Sequence, residues 1–141
     1  MTMRRRGSSL VEFALAAPLL LLLLAGVLNY AMALRVAIAV SDAARAGAQF
    51  GALTPTNAAD LAGMAAAACN SAPELTGLTA EASQVCKCSG GASASCSSTC
   101  VSGPLEMYVE VTAHATAPNW FQYSGLPFTG AVAATAVMRA K

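Results

Sequence analysis

An uncharged stretch of 22 residues, from Phe13 to Leu34, constrains this chain more than any other feature. It contains six consecutive leucines, Leu19 to Leu24. As an α-helix it would be about 33 Å long, and the hydrocarbon core of a bilayer is about 30 Å thick. The stretch therefore predicts a membrane-spanning helix near the N-terminus.

The basic residues indicate how this helix is oriented. Arg4, Arg5 and Arg6 precede it, and no equally basic cluster follows it within ten residues. The positive-inside rule then places the N-terminus in the cytoplasm and the C-terminal region outside. Charged residues make up only 11% of the chain and form no other basic cluster, so nucleic acid is not an expected partner.

A secretory signal peptide is the alternative interpretation of the same stretch. Ala31-Met32-Ala33 has the small-x-small pattern of a cleavage site, and cleavage there would release residues 34–141 as a secreted, disulfide-stapled binding module. However, the apolar run exceeds the usual 7–15 residues of such peptides. Helix-compatible sequence also continues beyond it without a proline, which favours one helix from about Ser9 to Phe50.

Glu12 introduces a carboxylate at the start of this apolar helix, where a charge is costly. One interpretation is a capping box over Ser9–Glu12, in which the carboxylate binds free backbone amides. The other is that Glu12 meets a positive α-amino group created by cleavage after Gly7. Residue chemistry alone leaves both open.

Several residues further along the helix are candidates for shaping or packing it. Pro18 and Gly26 are expected bend points. Asp42 and Arg45 are spaced to pair on one helix face. Gly47 belongs to a group of small residues that permits close approach, either of a partner helix or of the protein's own sheet.

The residues from Gly7 to Glu12, with Pro18 and the segment Ser41–Ala48, resemble the TadE-like pseudopilins of tight-adherence (Tad/Flp) pilus systems. The resemblance implies a type IV prepilin-like site, cut by a prepilin peptidase between Gly7 and Ser8. It further implies that Glu12 neutralises the new N-terminus of Ser8, most plausibly on an adjacent subunit.

The resemblance also implies partners and a location. The expected partners are the prepilin peptidase, other pseudopilins, the major Flp-type pilin, the inner-membrane assembly platform and the lipid bilayer. The protein would be a minor pilin or pseudopilin in the bacterial inner membrane, with one span and a periplasmic C-terminal region. Residues 1–7 would be the leader, 8–51 the transmembrane and extended helix, and 52–141 the extracytoplasmic α+β domain.

The C-terminal region predicts a small antiparallel sheet. Met107–Ala113 alternates apolar and polar residues, as half-buried strands do, and Leu78–Cys88 and Ala131–Arg139 are further expected strands. Ala58–Cys69 predicts a short amphipathic helix. The expected fold class is thus α+β and pilin-like, with a long N-terminal helix packed on the sheet.

An aromatic segment between the last two strands contains Trp120, Phe121 and Tyr123. These residues are candidates for contacting a partner, because exposed aromatic patches mark interaction sites. The alternative is that Trp120 and Phe121 fill the small core beneath the sheet.

Four cysteines within fifteen residues predict a disulfide framework outside the cytoplasm, namely Cys86, Cys88, Cys96 and Cys100. A hairpin through Gly90-Gly91 favours the nested pairs Cys86–Cys100 and Cys88–Cys96. Cys69 is the fifth cysteine and could instead pair with Cys86. A four-thiolate zinc site is the weaker interpretation of this spacing.

Nothing in the sequence suggests catalysis. The seven acidic residues are scattered, and the single histidine, His114, is expected on the polar face of its strand. No nucleophile motif and no phosphate-binding glycine loop accompany it. We therefore expect no enzymatic activity, no catalytic residues, no cofactor and no metal.

Overall fold

The computed structural model describes residues 8–91, 93–101, 103–118 and 130–140, with side chains from Ser9 onward. It contains three helices and four strands within these residues. They are α1 (Ser8–Ala52), α2 (Pro55–Ala59), α3 (Leu61–Ser71), β1 (Thr79–Cys88), β2 (Ser93–Ala94), β3 (Leu105–Thr116) and β4 (Ala131–Arg139). The expected α+β class is confirmed, with a long N-terminal helix and an antiparallel sheet.

Helix α1 is a single helix of 45 residues, about 68 Å long. It continues through Pro18, so this proline does not end it. The predicted helix from about Ser9 to Phe50 is confirmed to within one turn at each end.

The predicted helix Ala58–Cys69 is wrong in one respect, because two helices occupy this region. The break falls at Asp60, whose backbone is not helical and whose carboxylate accepts a hydrogen bond of 2.8 Å from the amide of Gly63. Asp60 therefore caps α3. Thr54 caps α2 in the same way, since its hydroxyl accepts from the amide of Asn57 at 3.1 Å.

The four strands form one antiparallel sheet in the order β2-β1-β3-β4. The alternation predicted for β3 is confirmed: Val109, Val111 and Ala113 are buried, whereas His114 is exposed. Strand β4 matches the predicted Ala131–Arg139, and β1 begins one residue after the predicted Leu78.

The core lies between the sheet and the C-terminal half of α1. Val36 and Val40 pack with Ala113 and Ala115 in one cluster. Ala48 packs in a second cluster, with residues of α3 and the other end of β3. Since Val36 is nearer the apolar stretch than Ala48, β3 runs toward that stretch and its antiparallel neighbour β4 runs away from it.

Two disulfides brace the β1–β2 hairpin, but the predicted pairing is wrong. The bonds are Cys86–Cys96 and Cys88–Cys100. The hairpin register places Cys86 opposite Ala94. The chain that leaves β2 therefore lies beside Cys86 before it lies beside Cys88, and Cys96 bonds to Cys86. A turn closed by a hydrogen bond from the amide of Ser98 to the carbonyl of Ser95 then returns the chain toward Cys88.

Candidate membrane anchor and assembly helix

The N-terminal half of α1 has an apolar surface that no described residue covers. Each leucine from Leu19 to Leu24 is 56% to 65% exposed. Helix α1 is long and apolar enough to cross a membrane, and none of its most apolar 18-residue window is buried within the protein. The exposure distinguishes this segment from the core helix of a soluble domain, which would bury its leucines.

The C-terminal half of the same helix has the opposite environment. Val40, Ala43 and Ala48 are completely buried against the sheet and α3. Helix α1 therefore joins an uncovered apolar segment to a packed segment without interruption.

Gly47 allows α1 to approach its neighbours this closely. A Cβ atom at position 47 would be 2.7 Å from the carbonyl oxygen of Met64 and 3.0 Å from both the Ala68 Cβ and a Val111 methyl carbon. The structure therefore brings Gly47 against the protein's own α3 and β3, and not toward a free surface. Gly51, one turn later, meets the Met64 side chain and was not singled out from the sequence.

Two of the residues expected at the processing site, Ser8 and Glu12, lie in the first described turns of α1. Ser8 is the first residue of the described helix, whereas Gly7 lies outside the described residues. Glu12 is exposed on α1, one helical turn after Ser8. Ser9 and Glu12 both lie within the described part of α1.

The expected pair on the packed half of α1 forms on the side facing solvent. An Arg45 guanidinium nitrogen is 3.9 Å from an Asp42 carboxylate oxygen, and both side chains are about two-thirds exposed. Pairs of this kind contribute little to stability in water. The predicted Asp42–Arg45 pair is therefore confirmed, but because it is exposed it contributes little to the packing of α1.

A polar cluster that the sequence analysis missed lies on the outer face of the sheet, at the end distal from the apolar stretch. The Tyr108 hydroxyl donates a 2.8 Å hydrogen bond to Glu106, which also lies 3.3 Å from Arg139. The hydrogen bond to Glu106 raises the pKa of Tyr108, and desolvation adds to the effect. The Lys87 ammonium lies 5.8 Å from the centre of the Tyr108 ring. The sequence could have indicated this cluster, because Glu106 and Tyr108 are spaced to lie on the same face of one strand.

An open groove of about 550 Å³ adjoins this cluster, lined by Pro55, Leu105, Glu106, Met107, Arg139 and Ala140. Its one acid is engaged by Tyr108 and Arg139. Among the described residues, no group of three or more His, Cys, Asp or Glu side chains could hold a metal ion.

The remaining candidates are dispersed. Cys69 is a free, partly buried thiol whose sulfur lies 3.8 Å from the Leu78 carbonyl oxygen, so the suggested pairing with Cys86 is wrong. The candidate partner contacts Trp120, Phe121 and Tyr123 lie outside the described residues.

The anchor region is also the part of the chain that matches a known family. Residues 7–49 match the family model of TadE-like proteins. This segment is TadE-like. Searches of curated proteins and of solved structures found no match. The TadE-like match covers the sequence from Gly7 through the exposed leucines to the packed half of α1.

The match supports a general role as a minor pilin associated with a tight-adherence pilus, with other pilus components as partners. Together with the exposed apolar half of α1, it indicates membrane association. Residues 50–141, which include α2, α3 and the sheet, lie beyond the matched segment.

Proposed function

We propose that this protein is a minor pilin or pseudopilin that takes part in assembling a tight-adherence pilus after prepilin peptidase cuts between Gly7 and Ser8. The observation that best supports the proposal is that α1, within a TadE-like segment, has two halves with opposite environments. Its first half exposes leucines that a bilayer or neighbouring pilin helices would cover, and its second half holds a folded domain.

The proposed location is the bacterial inner membrane, with a cytoplasmic leader and a periplasmic sheet domain. The arginines before Gly7 support this orientation through the positive-inside rule. The disulfides support it independently, because Cys86–Cys96 and Cys88–Cys100 would be expected to persist in the periplasm and not in the cytoplasm. The inner-membrane platform and the peptidase act at the same membrane and are the proposed partners, together with other pseudopilins and the major Flp-type pilin.

In this proposal Glu12 has an electrostatic role. Cleavage before Ser8 creates an α-amino group that is largely protonated at neutral pH. A carboxylate in the same low-dielectric layer interacts with such a charge more strongly than it would in water. Pairing Glu12 with the Ser8 α-amino group of an adjacent subunit would therefore fix how far one helix slides along the next.

The protein is proposed to act without catalysis. Its one histidine, His114, is exposed on the outer sheet face, away from the Glu106 cluster at the other end of β3. The role rests on surfaces: an apolar helix for the membrane and neighbouring helices, and a rigid domain carried at the end of that helix.

Substitution at Glu12 tests this role. Glu12→Leu should leave the amount of protein in the membrane unchanged and reduce its co-isolation with sheared pili or with the assembly platform. Glu12→Asp keeps the charge and is the matched control, expected to retain more co-isolation than Glu12→Leu. Equal co-isolation of wild type and Glu12→Leu would contradict the electrostatic role.

A further inference from the structure

Strand β4 forms an edge of the sheet and lacks the features that usually protect edges. All nine of its residues, Ala131 to Arg139, pair with β3 in one continuous register without a bulge. It contains no proline, and its only charged residue is the last one, Arg139. Among the described residues, no strand pairs with its other side. Natural edges of this length usually carry prolines, lysines or bulges that prevent pairing with another chain.

The opposite side of the sheet is protected. The outermost strand, β2, has only two residues, and it pairs with Cys86 and Lys87 of β1. The two disulfides hold the following loop against the same end of β1. The rest of β1 carries an exposed charge, Glu81, near its middle. The contrast between the two sides singles out β4 as the edge able to accept another strand.

The direction of β4 restricts which chain can supply that strand. Because β4 runs away from the membrane segment of α1, an antiparallel strand beside it must run toward the membrane. In a second copy anchored in the same membrane, β1 and β4 both run away from it. Of the two strands that run toward it, β3 lies inside its own sheet, and β2 is an edge strand of only two residues. A second copy therefore offers no edge strand of the required direction that is long enough to pair along β4.

The side chains of β4 define the chemistry of the incoming strand. On the face toward α1, the strand presents only apolar residues: Val132, Ala134, Ala136 and Met138. On the outer face it presents alanines, Thr135 and Val137, which is 58% exposed. A matching strand has apolar residues on the inner face, small or β-branched uncharged residues on the outer face, and an acidic or hydroxyl residue near Arg139.

We propose that the free edge of β4 binds an extended strand from a different membrane-anchored pilus subunit, which adds to the sheet antiparallel to β4. The backbone amides and carbonyls along the free edge of β4 would supply the hydrogen bonds, as in other complexes formed by strand addition. This inference depends on the proposed function in one respect only, namely that the protein supplying the strand is a pilus subunit.

Photocrosslinking in native membranes tests this edge at a matched pair of positions. Val137 on β4 and Ser83 on β1 are both exposed on the outer face, and both pair with Glu110 of β3. A photoreactive benzoylphenylalanine at position 137 of the full-length chain should crosslink to a second polypeptide, and the same group at position 83 should not. Mass spectrometry of the crosslinked peptide identifies the partner strand.

A lysine on the edge should abolish the contact. With the photoreactive group at Ala133, Val137→Lys should cause loss of the crosslink, because a lysine on an edge strand disfavours pairing with a further strand. Ser83→Lys, beside the same Glu110, should leave the crosslink unchanged. Disulfide mapping and protease resistance of each variant check that the domain remains folded.

The other outcomes separate this inference from the proposed function. Three crosslinking results would overturn strand addition at β4: a crosslink to residues 119–129 of the same chain, a crosslink to a second copy, or an equally strong crosslink from position 83. The absence of any crosslink would overturn it as well. A crosslink to a strand of a membrane protein unrelated to pili would overturn the proposed partner class and contradict the proposed function. The mature N-terminus, measured on the same membranes, reports on pilin processing independently.

Discussion

Gly47 of α1 lies in direct backbone contact with Met64 of α3: a Cβ atom at position 47 would be only 2.7 Å from the Met64 carbonyl oxygen. This contact lies at the junction between α1 and the sheet domain. It joins three elements, because Val111 of β3 approaches the same point. How α1 holds the domain therefore depends on a residue without a side chain.

Gly47→Ala should destabilise the domain despite the higher helix propensity of alanine. The added methyl group must displace backbone in a close-packed site, and such overpacking costs about 1–3 kcal/mol. Gly26→Ala is the matched control, since nothing lies within 4 Å of a Cβ at that position. Pulse proteolysis in urea, on detergent-solubilised protein, should show a lower midpoint for Gly47→Ala alone. Equal midpoints for the two variants would refute the close contact.

The disulfide pairing predicts a distinctive count of free thiols in two double variants. Cys86→Ser with Cys96→Ser removes one complete bridge and should leave one free thiol, Cys69. Cys86→Ser with Cys100→Ser removes one partner from each bridge and should leave three. Titration of the denatured, unreduced variants with a thiol reagent measures the difference. The nested pairing would reverse the order of the two counts.

Adjacent residues on α1 should respond very differently to substitution. Asp42→Ala removes an exposed ion pair and should change the free energy of unfolding by less than about 0.5 kcal/mol. Ala43→Asp places a carboxylate at a completely buried position and should cost at least about 2 kcal/mol. The same proteolysis measurement compares them. A similar cost for the two variants would mean that α1 does not pack on the sheet in this orientation.

The raised pKa of the Tyr108 hydroxyl predicts that the folded domain loses stability in alkaline solution. Its hydrogen bond to Glu106 raises its pKa above the ordinary value of about 10. This contribution to stability is complete below the unfolded-state pKa and is lost as the pH rises through the folded-state pKa. The difference in absorbance at 295 nm between wild type and Tyr108→Phe should give a midpoint above about 10. Glu106→Gln should lower that midpoint, and an unchanged value would exclude the hydrogen bond as its cause.

Much of the architecture could be predicted because it follows from local patterns. The uncharged stretch and the helix-compatible residues after it specified α1, and strict alternation specified β3. Strand β4 has the predicted bounds, Ala131–Arg139. In each case, neighbouring residues in the sequence contain the information.

The features that the sequence did not predict depend on contacts between distant residues or on details of backbone geometry. The disulfide pairing depends on the turn at Ser95–Ser98, and the division of the second helix depends on capping by Asp60. The Glu106–Arg139 pair joins residues that only the sheet register brings together. For the first half of α1, the sequence pattern indicated a membrane helix, whereas the proposed role in pilus assembly came from the family resemblance and not from physical chemistry.

The central claim is that the chain is processed as a prepilin, and the intact mass of the mature protein from native membranes tests it most directly. We predict a chain that begins at Ser8, with Gly7 removed together with the basic leader. Replacing Gly7 with a bulky residue should block this processing and leave the protein in the membrane. A mature chain that begins at Leu34 would contradict the account and indicate a secreted module, whereas retention of residues 1–7 would show that no prepilin peptidase acts on it.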